Sequence, residues 1–309
     1  MKRIVYLSWP AKEITGGIKM VFRHVEALRS LGFETLVATE DGERPGWFTT
    51  LAPVVPLAKL APGEDVLVFP ENHAGLLHRF ADWPNRKVVF CQNPYMVYRG
   101  VGERSDYRDY GVSAVLCPAQ HVATFCRRRF PALETFVLPY PLDRMTFRPR
   151  PPKRLQVAFA PRKRPAEAAF VRDLFRAENP NWKTLPWVVI EKMPETEVAR
   201  ILGESAVYLA LGRFESFGLS ALEALASGCI VAGFTGTGGW DYATSRNGFW
   251  AAEDDILACT SQLTEAVRLA AEARQRYQEM VADAQATAAA YSEERFLSRL
   301  LECWRQLAE

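Results

Sequence analysis

The sequence contains no run of about 18 or more apolar residues, so no membrane-spanning helix is expected. It lacks the Gly-x-Gly-x-x-Gly fingerprint, which argues against a dinucleotide-binding domain of the NAD type. No Asp-x-Asp pair stands at an expected strand end, and Asp254-Asp255 reads as loop. The six cysteines (Cys91, Cys117, Cys126, Cys229, Cys259, Cys303) are scattered without Cys-x-x-Cys spacing. Reduced core thiols are therefore expected, rather than a zinc site or a disulfide framework. Charge of one sign is also missing: 38 basic residues against 36 acidic ones leave +2, too little for a dedicated nucleic-acid binder. Met1-Lys2-Arg3 leads straight into a strand-like IVYLSW, unlike a signal peptide, so a soluble cytoplasmic protein is expected.

What is present is enough apolar residue, 49% of 309, for two packed cores. RIVYLSW reads as a buried strand ending in a loop with Gly16-Gly17. Val21, Val25, Leu28 and Leu31 then mark one face of a helix, followed by Gly32 and the strand ETLVAT. Further strands are expected at Val66 to Phe69, Lys87 to Cys91 and Ala114 to Cys117. The Pro- and Arg-rich stretch from Pro139 to Pro152 reads as a linker between two α/β domains. The second half restarts with LQVAFAP as a strand. One long helix is expected over Ser261 to Ala290, and a last helix carries the stripe Phe296, Leu300, Trp304 and Leu307. The expected domains are 1–145 and 146–290, with 291–309 packing back on the first.

The most informative segment is Ala206 to Gly239. An apolar run, a polar loop, an Ala/Leu-rich stretch stopped by Gly228 and a second apolar run predict strand, helix and parallel strand. Glu215 lies in the loop ahead of the helix and Glu223 within it, seven residues between them. Ser216, Phe217 and Gly218 should offer backbone N–H groups at the positive end of the helix dipole, a seat for a phosphate. At 3.6 residues per turn Glu223 falls about 40° from Leu219, at the edge of the apolar face, where a carboxylate can accept two hydrogen bonds from a diol such as a ribose. The plainer alternative is that both acids merely solvate a helix and its entry loop. Upstream, Arg162, Lys163 and Arg164 follow a predicted strand at the end where α/β sheets bind ligands, and could neutralise a diphosphate.

These residues resemble the EX7E signature of retaining glycosyltransferases with the GT-B fold, most closely the GT4-like family once called glycosyltransferase group 1. Asn247-Gly248 with Glu253 to Asp255, Pro141 to Asp143, and Gly16-Gly17 before a helix extend the likeness over nearly the whole chain. The resemblance implies two Rossmann-like α/β/α domains facing each other across a deep cleft, an acceptor side formed by the first and a nucleotide-sugar site formed by the second. It assigns catalysis to Glu215, Arg162 and Lys163. It assigns donor binding to Glu223, Ser216, Phe217, Gly218, Leu219, Gly16, Gly17, Arg164 and Met193. Gln92, Asn93 and His73 would lie on the acceptor or sugar side.

The implied reaction moves a sugar from a nucleotide diphosphate to a hydroxyl of a glycan or glycolipid, with neither metal nor cofactor. Bacterial polysaccharide or glycolipid synthesis is the implied setting. Peripheral membrane contact through Tyr95 to Arg99 and Arg127 to Arg129 is weighed against a plain solvated surface. Two departures stand out: Glu167-Ala168 replaces the family's lysine, so Lys163 or Arg164 must substitute, and Cys91-Gln92-Asn93 replaces its histidine. A non-catalytic nucleotide- or glycan-binding protein, or a phosphorylase or epimerase on the same fold, is the alternative.

Overall fold

The computed structural model describes residues 2–12, 15–102 and 106–307. They form two compact units, one running to Tyr140 and regaining the chain from Glu294, the other spanning Pro141–Glu293. The first unit holds seven strands: β1 (Ile4–Leu7), β2 (Thr35–Thr39), β3 (Val54–Pro56), β4 (Val66–Pro70), β5 (Lys87–Phe90), β6 (Val112–Cys117) and β7 (Glu134–Val137). All pair in parallel in the order β3-β2-β1-β4-β5-β6-β7. Every residue of β1, β4 and β5 is buried, as expected of parallel strands covered on both faces.

Four helices intervene: α1 (Gly16–Ser30), α2 (Ala74–Arg79), α3 (Val97–Val101) and α4 (Gln120–Arg129). Gly16 and Gly17, read from the sequence as a loop, are instead the first two residues of α1. Thr15 is the reason: its Oγ1 accepts the Ile18 N–H at 3.3 Å and starts the helix early.

The second unit has five parallel strands, β8 (Arg154–Phe159), β9 (Trp187–Val189), β10 (Ser205–Leu211), β11 (Ile230–Phe234) and β12 (Gly248–Ala251), in the order β12-β11-β10-β8-β9. Its helices are α5 (Pro165–Glu178), α6 (Glu195–Glu204), α7 (Leu219–Ala226), α8 (Ile256–Glu272) and α9 (Arg274–Ala289). The single long helix expected over 261–290 is thus two, broken at Ala273 (φ −125°, ψ 66°). The physical cause is packing: α8 lies on β11, β12 and α5, whereas α9 lies on α7, and one straight rod cannot serve both faces.

The last helix, α10 (Glu293–Leu307), belongs to the first unit. Trp304 is fully buried 6.1 Å from the Tyr6 ring, and Arg86 Nη1 caps the helix by donating to the Leu307 carbonyl at 2.9 Å. The first unit runs to Tyr140, and the Pro/Arg-rich stretch is packed rather than a free linker. Leu142 N–H donates to Tyr291 O, and Arg150 N–H to Gly203 O. Lys153 inserts its Nζ among the Leu202, Ser205 and Ser227 carbonyls at 2.6 to 2.9 Å, closing the ends of α6 and α7. Proline and arginine there serve packing, which composition alone does not distinguish from a linker.

Candidate functional site

In an open parallel sheet, ligands sit beyond the carboxyl ends of the strands where the strand order reverses. In the second unit that reversal lies between β8, whose next strand β9 is on one side, and β10 on the other. Lys163 follows β8 and Glu215 follows β10, and the sheet brings them together: Lys163 Nζ lies 2.6 Å from Glu215 Oε1 and donates to the Arg213 carbonyl at 3.2 Å. The two side chains are 29% and 26% exposed, so the pair contributes about 1 kcal/mol or less. That is weak enough for an incoming anion to draw the ammonium away. Arg162 is exposed beside it, without a hydrogen bond or ion pair among the described residues. Arg213, which the sequence reading passed over, adds a third cation on the Glu215 loop, 3.6 Å from Glu167.

Three neighbouring loops are fastened by Arg164. Its guanidinium, 1% exposed, pairs with Glu253 at 2.6 Å and Asp254 at 2.5 Å, reaches Glu167 at 3.4 Å and donates from Nε to Gly212 O. It also lies over the Phe234 ring, 4.4 Å from the centroid. Glu253 passes the tie onward by accepting the Gly236 N–H at 2.7 Å. Arg164, expected to bind donor, is therefore a correction: every arm of its fork is taken by protein, and it positions the loops. Of Lys163 and Arg164, it is Lys163 that faces Glu215. Glu167 anchors both Arg164 and Arg213.

Helix α7 starts at Leu219, with Gly218 as its cap in the left-handed region (φ 73°). A side chain there would strike the Tyr242 hydroxyl at 2.8 Å, and one at Gly238 would fall 2.6 Å from the Phe217 backbone. The loops after β10 and β11 thus lie backbone on backbone, which needs glycine. Gly218 and Leu219 present N–H groups with no acceptor among the described residues. Ser216 is half-buried, whereas the Phe217 side chain is buried against Tyr242 and Tyr291. Met193 lies half-buried in the loop after β9.

Glu223 is half-buried on α7. Two buried phenols report on both glutamates. Burial pushes the Tyr208 and Tyr242 hydroxyls well above the usual phenol range, and the charges of Glu223 and Glu215 push the same way on each. Both phenols therefore stay protonated. Tyr242 donates to Gly218 O at 2.7 Å and so holds the cap. Sequence reading missed both tyrosines, because nothing in their spacing separates them from core aromatics.

In the first unit the reversal lies between β1 and β4. His73 follows β4, and its Nδ1 accepts the Leu76 N–H at 3.3 Å, capping α2. Trp9, which follows β1, stacks on the His73 ring with centroids 3.9 Å apart and planes at 17°, and donates from Nε1 to Asn72 Oδ1 at 3.0 Å. Gln92 does not stand open for a sugar: its Nε2 donates to Gly17 O at 3.0 Å and its Oε1 accepts from the Tyr140 hydroxyl at 2.8 Å. It fastens the start of α1 to the end of β5. Asn93 caps the next turn by accepting the Tyr95 N–H at 3.1 Å.

Beneath these lies Glu71, also unforeseen. Its carboxyl is buried and accepts backbone N–H groups of Glu71, Gln92 and Asn93; burial outweighs them and pushes it up to about 7. Tyr95 and Tyr98 are exposed, with Arg129 5.8 Å from the Tyr98 ring. Among the described residues no helix is long and apolar enough to cross a membrane, and no cluster of three metal-ligating side chains occurs.

No protein-family model matches the chain. It is similar to an alpha-1,6-glucosyltransferase of Actinobacillus pleuropneumoniae serotype 7, 26% identical over 241 residues, covering 75% of this chain and 72% of the relative. Among solved structures it is similar to HepE of Anabaena in complex with UDP and glucose, with a TM-score of 0.73, 13% identity and coverage of 99% and 100%. It also resembles sucrose-phosphate synthase of Thermosynechococcus elongatus, with a TM-score of 0.71, 14% identity and 99% of each chain covered. The fold is the α/β fold of these GT-B glycosyltransferases, built from two Rossmann-like units.

Proposed function

We propose that this protein is a glycosyltransferase that moves a sugar from a nucleotide diphosphate to an acceptor hydroxyl with retention of anomeric configuration. The observation that carries the reading is the Lys163–Glu215 pair at the strand-order reversal of the second sheet, beside the free amides of Gly218 and Leu219. In this reading Arg162, Lys163 and the two amides hold the diphosphate and stabilise the charge that grows on it as the sugar leaves. Glu223 accepts the ribose hydroxyls. Glu215, released from Lys163 by the phosphate, accepts hydroxyls of the sugar and offsets positive charge at the reacting carbon. Transfer on the face from which the diphosphate departs lets a phosphate oxygen take the acceptor proton, so no strong protein base is needed.

The relative named alpha-1,6-glucosyltransferase supports glucose as the sugar. Nucleotide-activated glucose carries the alpha configuration, and an alpha-linked product then corresponds to retention. The complex of Anabaena HepE with UDP and glucose supports uridine as the base. A place in the synthesis of a polysaccharide or glycolipid belongs to the same proposal. The test is to incubate the protein with UDP-glucose and follow the anomeric proton by NMR. Release of UDP with an alpha-configured first product is expected. A beta-configured first product would contradict retention, and an inert donor across UDP-, GDP- and dTDP-sugars would contradict the enzyme.

A further inference from the structure

We infer that the Trp9–His73 stack, with Asn72 at its edge, is a platform for a pyranose ring, and hence that the acceptor is a glycan recognised through its sugar rather than through a lipid. This inference rests on the glycosyltransferase reading and adds to it the class of acceptor.

The argument begins with place. Trp9 and His73 follow β1 and β4, the two strands between which the order of the first sheet reverses. The other large aromatics on those strands, Tyr6 and Phe69, are fully buried, whereas Trp9, Asn72 and His73 are half-buried at the carboxyl end. The indole keeps part of its surface open there while its polar edge is tied to Asn72. His24 gives the contrast: it too sits among aromatic rings, but fully enclosed by Tyr6, Phe90 and Phe296, with no face left for a ligand.

Rigidity is the second strand of the argument. The indole is held by the Nε1–H bond to Asn72 and the imidazole by the Leu76 N–H. Neither ring then has much freedom left to lose when a ligand arrives. The third is chemistry. Nδ1 of His73 can accept that N–H only when it carries no proton, so the proton of the neutral ring sits on Nε2 and points a donor away from the helix. Burial lowers the pKa of His73, which keeps the ring neutral. Asn72 spends its oxygen on Trp9 and keeps its amide hydrogens for another acceptor. A flat aromatic surface and two neutral donors fit the C–H face and hydroxyls of a sugar. They do not fit a phosphate headgroup, which calls for cations.

The experiment uses the full-length protein, its Trp9→Ala and Trp9→Phe variants, and a panel of alpha- and beta-linked glucose and galactose disaccharides. Saturation-transfer NMR should show contact with pyranose protons of at least one disaccharide in the wild type. Affinity should fall about tenfold or more in Trp9→Ala and recover in part in Trp9→Phe, while the affinity for UDP stays the same. Absence of contact with every disaccharide, or equal affinity in wild type and Trp9→Ala, would overturn the platform. A loss of UDP affinity in Trp9→Ala would overturn it too, by giving the stack to the base. Failure of the wild type to bind or turn over any nucleotide-sugar would instead remove the glycosyltransferase reading.

Discussion

The two units use the same sheet architecture, yet their strand-order reversals are furnished in opposite ways. In the second unit the reversal carries ions: Lys163 against Glu215, with Arg162 and Arg213 alongside. In the first it carries neutral groups, the Trp9–His73 stack and the Gln92–Tyr140 hydrogen bond, and the Glu71 carboxyl is buried beneath backbone amides. The difference teaches that topology chooses where a ligand sits and side chains choose which. Cations and helix amides suit a diphosphate, and a neutral aromatic shelf suits a sugar ring.

The comparison can be broken most forcefully at Arg164. Replacing it by alanine strands Glu253 and Asp254 and frees three loops. Because those acids are partly exposed, the loss of stability should be about 3 kcal/mol, the lower end for a broken buried network. A urea melt unchanged by Arg164→Ala would show that the loops need no such fastening. Next in size, Glu215→Gln should cut turnover about 100-fold or more while the melt stays in place; full activity would remove Glu215 from the chemistry. Glu223→Ala should weaken donor binding about tenfold with a smaller change in turnover, read from calorimetry and steady-state kinetics.

The smallest effect sharpens the neutral side. Burial holds the Glu71 carboxyl up to about 7, so its contribution is fully present below the ordinary carboxylate range and is lost as pH rises through 7. His24 works in the opposite sense. Burial lowers it to about 3, so protonation of the unfolded chain costs stability as pH falls below the usual histidine range. Comparing wild type with Glu71→Gln cancels His24. The stability of the wild type relative to the variant should drop by about 1 kcal/mol between pH 6 and 8. A difference independent of pH would place the titration of Glu71 outside that window.

Much of the second unit was legible because strand, glycine cap, helix and both glutamates fall within one continuous segment. Local pattern and site coincide there. Which of Arg162, Lys163 and Arg164 faces inward was not legible, because a tight turn after β8 decides it and three adjacent cations look alike. Gln92 and Asn93 follow β5 as the sequence suggests, but their side chains are spent on holding α1 and a turn. Trp9 and His73 lie 64 positions apart, and only the pairing of β1 with β4 makes them neighbours. The break at Ala273 has no glycine or proline to announce it, since packing on two different surfaces imposes it.

One measurement bears on all of this most directly: calorimetric titration of UDP, GDP and dTDP into the wild type and into Lys163→Ala, Glu223→Ala and Trp9→Ala. The ionic reversal should bind at least one of these diphosphates, with affinity reduced about tenfold in the first two variants and kept in the third. A protein that binds none of them, or whose affinity is indifferent to Lys163 and Glu223, would contradict the assignment of the second unit as the donor site.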